Sequence, residues 1–167
     1  MDLHSAPANW TALIDDIREG RWISPLNGKK YPPAPYEQII MAESLRGKEA
    51  DLVKSLGFQP PFAIVSDSNT HKALGERVGR ALSTLGPVTE IILDNPHADM
   101  AAVRDLQKKL AGFASVVAVG SGTVNDLTKF VTFQDGQRYC VFATAGSMNG
   151  YTSLTASITL DSGLKIS

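Results

Sequence analysis

The sequence predicts an α/β protein built on a parallel sheet with helices packed on both faces. Two observations carry this. Short continuous apolar runs, such as Phe62-Ala63-Ile64-Val65 and Ser115-Val116-Val117-Ala118-Val119, read as strands covered on both sides. Between them lie segments with apolar residues at helical spacing, and strands alternating with helices imply parallel pairing through crossover connections.

The elements follow in order. Asn9 is placed to cap a short helix whose Trp10, Leu13, Ile14 and Ile17 share a face, ending near Gly20. Residues 21–36 (RWISPLNGKKYPPAPY) are proline-rich and read as an irregular arm, with Lys29 and Lys30 on a solvated turn. Residues 1–36 are therefore expected to form an N-terminal helix and arm, and residues 37–167 the α/β domain. Gln38–Met41 is expected as a short strand. A helix follows with Leu45, Leu52, Val53 and Leu56, and Gly57 sits at its C-cap. After the strand at 62–65 comes a helix with Leu74, Val78, Leu82 and Leu85. Val88–Leu93 reads as a strand, and Ala98–Leu110 as a helix with Val103, Leu106 and Leu110 aligned. Strand 115–119 leads through Gly120-Ser121-Gly122 into a helix bearing Val124, Leu127 and Val131. Tyr139–Ala143 is the next strand. The tail from Leu154 reads as two short strands around the turn Asp161-Ser162-Gly163. It stops without a closing helix or cap, and a fragment of a longer protein is expected.

Bulk properties exclude several classes. Hydrophobic residues make up 43% and charged residues 20% of the 167, which suits one globular domain with a real core. Sixteen Lys and Arg stand against 17 Asp and Glu, for a net charge of -1, so no electrostatic case exists for nucleic acid or an anionic membrane. Cys140 is the only cysteine, which rules out an internal disulfide; placed mid-strand among apolar neighbours, it reads as a core residue. No membrane-length apolar run and no signal-peptide pattern is present, and a cytoplasmic setting is expected.

Three polar clusters fall where strands end: Ser66-Asp67-Ser68-Asn69-Thr70, Gly120 to Asp126, and Thr144 to Gly150. Ligands of parallel sheets bind outside the carboxyl ends of the strands, so these clusters should converge. Gly120 and Gly122 would let backbone approach a ligand, and the free amides of the following helix start would attract phosphate. Asn125 replaces the third glycine of the usual dinucleotide fingerprint, so the loop is open to two readings, a phosphate cradle or a tight strand-to-helix turn. Asp67 is likewise either an N-cap or a carboxylate for an adenosine ribose, the second role favouring NAD(H) over NADP(H). Asp126 and Lys129, three apart on one helix face, read equally as a surface ion pair or as a site where the lysine meets an anionic substrate. His4, His71 and His97 are scattered, and no three-ligand metal site or catalytic residue can be assembled from this sequence.

At GSGTVNDLTK (120–129) followed by FATAGSMNGYTS (142–153), the sequence resembles the glycerol-1-phosphate dehydrogenases. These belong to the wider group of iron-type alcohol dehydrogenases, glycerol dehydrogenase and dehydroquinate synthase. The segment WTALIDDIREGRW (10–22) is similar to the bacterial branch. The resemblance implies a Rossmann-like, N-terminal nucleotide-binding domain of a dehydroquinate synthase-like fold, whose C-terminal helical metal-binding half lies beyond this chain. It implies that Asp67 binds ribose. It also implies that Gly120, Ser121, Gly122, Thr123, Val124, Asn125 and Asp126 wrap the pyrophosphate and its neighbouring ribose, and that Thr144, Ser147 and Ser153 contact cofactor near the nicotinamide. Asn149 and Lys129 would face the substrate. The implied reaction reduces dihydroxyacetone phosphate to sn-glycerol 1-phosphate with NAD(P)H and a divalent metal, zinc or nickel, expected only in the full-length protein. That protein is expected to be a homo-oligomer acting on a small phosphorylated triose or polyol, with phospholipid metabolism as its setting.

Asn149 departs from the family pattern, which has an aspartate there. An amide can hydrogen-bond but can neither take a proton nor carry negative charge. Alternatives are a glycerol dehydrogenase-like enzyme, a dehydroquinate synthase-like cyclase, or a catalytically inactive nucleotide-binding descendant. The cyclase would need a further glycine-rich stretch after Asp126, where Leu127-Thr128-Lys129 stand instead.

Overall fold

The computed structural model describes residues 10–34 and 36–167. They divide into two compact units, one running to Ser44 and one from Leu45 to Ser167. Among the described residues no helix is long and apolar enough to cross a membrane.

In the first unit, helix α1 spans Trp10–Arg18. Asn9, its expected cap, lies outside the described residues, as do the Trp10 side chain and His4. Gly20 follows the helix at φ +66, and a Cβ there would lie 2.8 Å from Pro33 Cδ, so both the backbone and the close approach require glycine. The arm then folds back on itself. Ile23 and Lys30 form an antiparallel bridge, and the Trp22 and Tyr31 rings stack with centroids 6.0 Å apart. Gln38–Met41 forms no strand. Its apolar run is short, and Ile40 and Met41 are exposed, so no core face holds it in a sheet. The compact units accordingly part after Ser44, later than the proline content of 21–36 suggests.

The second unit opens with helix α2, Glu49–Ser55. Leu45 precedes it, and Gly57, at φ +75, terminates it through a bond from its N–H to the Lys54 carbonyl. Strand β1 is Phe62–Asp67. The helical run after it is continuous but not uniform: one turn α3 (Ser68–Thr70), a π turn over His71–Gly75, then α4 (Glu76–Leu82). Leu85 lies past its end. The π turn sits where Gly75 is buried beneath His71, whose Nδ1 lies 3.0 Å from where a Cβ on Gly75 would be. Strand β2 is Val88–Leu93. Helix α5 spans Met100–Leu110, starting later than the periodicity suggests because Asp99 is extended and its carboxylate accepts the Ala102 N–H. Strand β3 (Ser115–Gly120), helix α6 (Gly122–Gln134) and strand β4 (Arg138–Ala143) follow. The tail forms the expected antiparallel hairpin of β5 (Ile158–Thr159) and β6 (Lys165–Ile166).

The four long strands pair in parallel in the order β2-β1-β3-β4. Period-two alternation sorts their side chains. Phe62, Ile64, Val117 and Val119 pack with Val53, Val78 and Leu82 of α2 and α4. Ala63, Val65, Val116 and Ala118 pack with Val103 and Leu106 of α5 and with Val124, Leu127 and Val131 of α6. Both faces are thus covered, which is why β1 and β3 needed unbroken apolar runs. Ile158 of the hairpin joins the second cluster, and Arg104 of α5 holds the hairpin through bidentate bonds to Asp161 of 2.9 and 3.0 Å.

Candidate functional site

Strands β1, β3 and β4 are neighbours and parallel, so their carboxyl ends, Asp67, Gly120 and Ala143, lie side by side. The three polar clusters therefore open at the same edge of the sheet, as the sequence requires.

Asp67 caps α3. Its Oδ1 accepts the N–H groups of Asn69 (2.9 Å) and Thr70 (2.8 Å), while its own N–H donates to Thr70 Oγ1 at 3.0 Å. This reciprocal arrangement is a capping box. Both carboxylate bonds use the same oxygen.

The glycine loop has two glycines with different reasons. A Cβ on Gly120 would lie 2.6 Å from Val124 Cβ, so this position must be bare for α6 to pack against β3. Gly122 has φ +25 and open space around the position its Cβ would take. Ser121 between them is extended and gives the helix no side-chain cap, and no acidic residue stands in the first turn of α6. The helix start is thus uncapped at an open glycine, whereas α3 and α5 each start on an aspartate.

Further along α6, three polar residues turn to the segment after β4. Asn125 is buried, with Nδ2 donating to Asp126 Oδ1 (3.3 Å) and the Gly150 carbonyl (3.4 Å). Asp126 Oδ2 accepts the Ser157 N–H at 3.2 Å. Lys129 is 9% exposed, and its ammonium donates to the carbonyls of Gly150 (2.8 Å), Ser153 (2.8 Å) and Thr155 (3.2 Å). Burial lowers its pKa and the Asp126 charge opposes that. No ion pair joins Asp126 to Lys129 among the described residues; the lysine is buried, and backbone carbonyls take its three protons. The surface-pair reading is thereby replaced by a strut.

Thr144 begins the segment and its N–H approaches the Gly120 carbonyl at 3.3 Å. Ser147 and Asn149 are exposed, Asn149 leading into a single 3-10 turn, Gly150–Thr152. Ser153 Oγ lies 3.1 Å from Thr155 Oγ1 and accepts the Thr155 N–H at 3.2 Å. Sequence reasoning missed Tyr151. Its phenol oxygen accepts the N–H groups of Thr144 (3.2 Å) and Ala145 (3.1 Å) and donates to the Gly120 carbonyl at 3.2 Å. A tyrosine amid small polar residues was the available signal, because a half-buried phenol finds partners.

A polar cleft of about 430 Å³ adjoins the start of α6, lined by His97, Ala98, Asp99, Thr123, Thr159 and Lys165. Among the described residues no group of His, Cys, Asp and Glu could hold a metal ion. Cys140 packs against the core, and burial pushes its thiol up to about 12, with Arg138 opposing.

The model of the family described as iron-containing alcohol dehydrogenase matches residues 40–167. Among curated proteins, the chain is 32% identical over 140 residues to glycerol-1-phosphate dehydrogenase [NAD(P)+] of Bacillus subtilis (strain 168), covering 80% of this chain and 35% of that protein. It is 29% identical over 126 residues to the enzyme of the same name from Pyrococcus abyssi (strain GE5 / Orsay), covering 72% of this chain and 35% of that one. The chain thus spans about a third of the length of these relatives. Among solved structures, glycerol dehydrogenase from Schizosaccharomyces pombe superposes with a TM-score of 0.61 at 20% identity, over 73% of this chain and 31% of that chain. Maleylacetate reductase from Rhizobium sp. strain MTP-10005 gives 0.59 at 19% identity, over 81% and 39%. At that identity the solved structures speak for the fold, and the family match covers the sheet, the glycine loop and the segment after β4. The chain belongs to the iron-containing alcohol dehydrogenase family.

Proposed function

We propose that this chain is the dinucleotide-binding part of a glycerol-1-phosphate dehydrogenase, and that the whole protein reduces dihydroxyacetone phosphate to sn-glycerol 1-phosphate with NAD(P)H. The observation that carries the cofactor reading is the uncapped start of α6 at Gly122, set between Asp67 and the Thr144–Ser153 segment. Amides of Gly122, Thr123 and Val124 there suit a pyrophosphate, whose charge the helix dipole favours. The space above Gly122 is open, so a phosphate can approach the backbone there without meeting a Cβ.

Asp67 can serve two masters. Oδ1 holds the cap, and Oδ2 is the atom for the hydroxyls of an adenosine ribose. Its charge would repel a 2′-phosphate. Thr144, Ser147 and Ser153 supply hydroxyls on the neighbouring side, and the Asn149 amide faces solvent where it can hydrogen-bond a substrate hydroxyl without accepting its proton. Ser121 and Asn125 shape the loop, Asn125 and Asp126 through bonds to the segment after β4. When bound, reduced nicotinamide supplies the hydride for the carbonyl. The described residues of this chain do not fit a divalent metal, so no step here runs through one. The curated relatives' names, which specify glycerol 1-phosphate and NAD(P)+, support the substrate assignment.

The test is a titration of the chain with NADH and NADPH followed by nicotinamide fluorescence, beside Asp67→Asn. Asparagine keeps the N-cap and removes the charge. Saturable binding that favours NADH, with the preference lost in the variant, is the expected result. Binding of neither cofactor would count against the reading.

A further inference from the structure

The segment from Thr144 to Ser157 has one 3-10 turn and otherwise no regular structure, yet two side chains hold it closely. Lys129 reaches it from α6. Its ammonium is buried and spends each of three protons on a carbonyl of that segment, at Gly150, Ser153 and Thr155. An apolar side chain would fill the same space without desolvating a charge, so the ammonium's directional bonds are what the position supplies. Tyr151 acts at the other end. One oxygen accepts two successive amides, Thr144 and Ala145, and donates to the Gly120 carbonyl. Gly120 ends β3 where the glycine loop starts, and Thr144 follows β4 where the second loop starts. The phenol therefore joins the origins of the two loops.

We propose that Lys129 and Tyr151 are positioning residues for the cofactor, fixing the loop that carries Thr144, Ser147 and Ser153 against the glycine loop and α6. The inference rests on the dinucleotide reading above. Lys129 acts here through the backbone it holds. Loss of either anchor frees the loop while leaving the sheet and its two apolar clusters intact, because neither residue belongs to those clusters.

The experiment is an NADH titration of the wild-type chain, Lys129→Met and Tyr151→Phe, with amide hydrogen exchange measured on the same samples. Each variant loses three hydrogen bonds to the loop and its neighbours and should weaken NADH by roughly 10-fold. Exchange should rise across residues 144–155 and stay at the wild-type level in 62–67 and 115–120. Lys129→Ala should regain affinity when ethylammonium is added, a response that general destabilisation would not give. Should Lys129→Met fail to fold, Tyr151→Phe, which loses a single oxygen, carries the comparison. A wild type that binds NADH beside variants that bind equally well would overturn the positioning role alone. A wild type with no saturable binding would overturn the dinucleotide reading and this role with it.

Discussion

A Cβ placed on Gly120 would fall 2.6 Å from Cβ of Val124, so the end of β3 touches the first turn of α6 with no room for a side chain. Two residues on, Gly122 has nothing near its Cβ position and is glycine for its φ of +25. The two glycines should therefore respond differently to alanine. Gly120→Ala forces α6 away from the sheet and should cost about 1–3 kcal/mol as overpacking does. Gly122→Ala should cost about 1 kcal/mol of backbone strain. Yet Gly122→Ala should abolish measurable NADH binding, because its methyl would stand where the proposed phosphate meets the backbone. Thermal unfolding and NADH titration of the pair check this; equal effects of both on both quantities would contradict it.

Asp67 tests whether the cap and the ribose reading coexist. Asp67→Ala removes the acceptor for Asn69 and Thr70 and should lower stability by about 1 kcal/mol, whereas Asp67→Asn should be near neutral. Both variants should bind NADPH more tightly than the wild type does, since both remove the carboxylate. Loss of NADPH binding in Asp67→Asn would contradict the placement of the 2′-hydroxyl there.

These expectations separate what was legible in the sequence from what was not. The parallel sheet was legible because β1 and β3 are buried on both faces, and such strands have nothing polar to interrupt them. The convergence of Asp67, the glycine loop and Thr144 followed from that topology alone. Gln38–Met41 misled because a short apolar run carries no record of whether a partner strand exists. Asp67 was readable in both roles, and its cap is realised in full. Lys129 was not readable: spacing along α6 says it shares a face with Asp126, but which backbone meets that face depends on a loop with no periodicity. Tyr151 escaped for the same reason.

The Arg104–Asp161 pair predicts a pH response of the hairpin. The hydrogen bond and charge of Arg104 hold the Asp161 carboxyl below the usual range. A folded-state pKa that is depressed gives stability that is present above the unfolded value, about 3.9, and is lost as pH falls through the lower folded value. Hydrogen exchange at Leu160, whose N–H donates to the Leu164 carbonyl within the hairpin, should therefore quicken as pH drops below about 4 and on adding salt, beyond the intrinsic exchange trend. Both responses should vanish in Arg104→Ala. A hairpin indifferent to that substitution would show that the Arg104–Asp161 pair does not hold it.

Cys140 should stay inert toward thiol reagents in the native chain. Burial raises its pKa to about 12, so the reactive thiolate is scarce at pH 8. Its modification should be much slower than that of the unfolded chain, and labelling at the unfolded rate without unfolding would contradict the raised pKa.

The start of α6 is the proposed seat of the dinucleotide phosphates. Backbone amide shifts of Gly122, Thr123 and Val124, followed by NMR while NADH is added, test it most directly. Saturable shifts are expected at these three, joined by Asn69 and Thr70 beside Asp67 and by residues of the Thr144–Ser153 segment. Saturable binding that leaves Gly122, Thr123 and Val124 unmoved would contradict it.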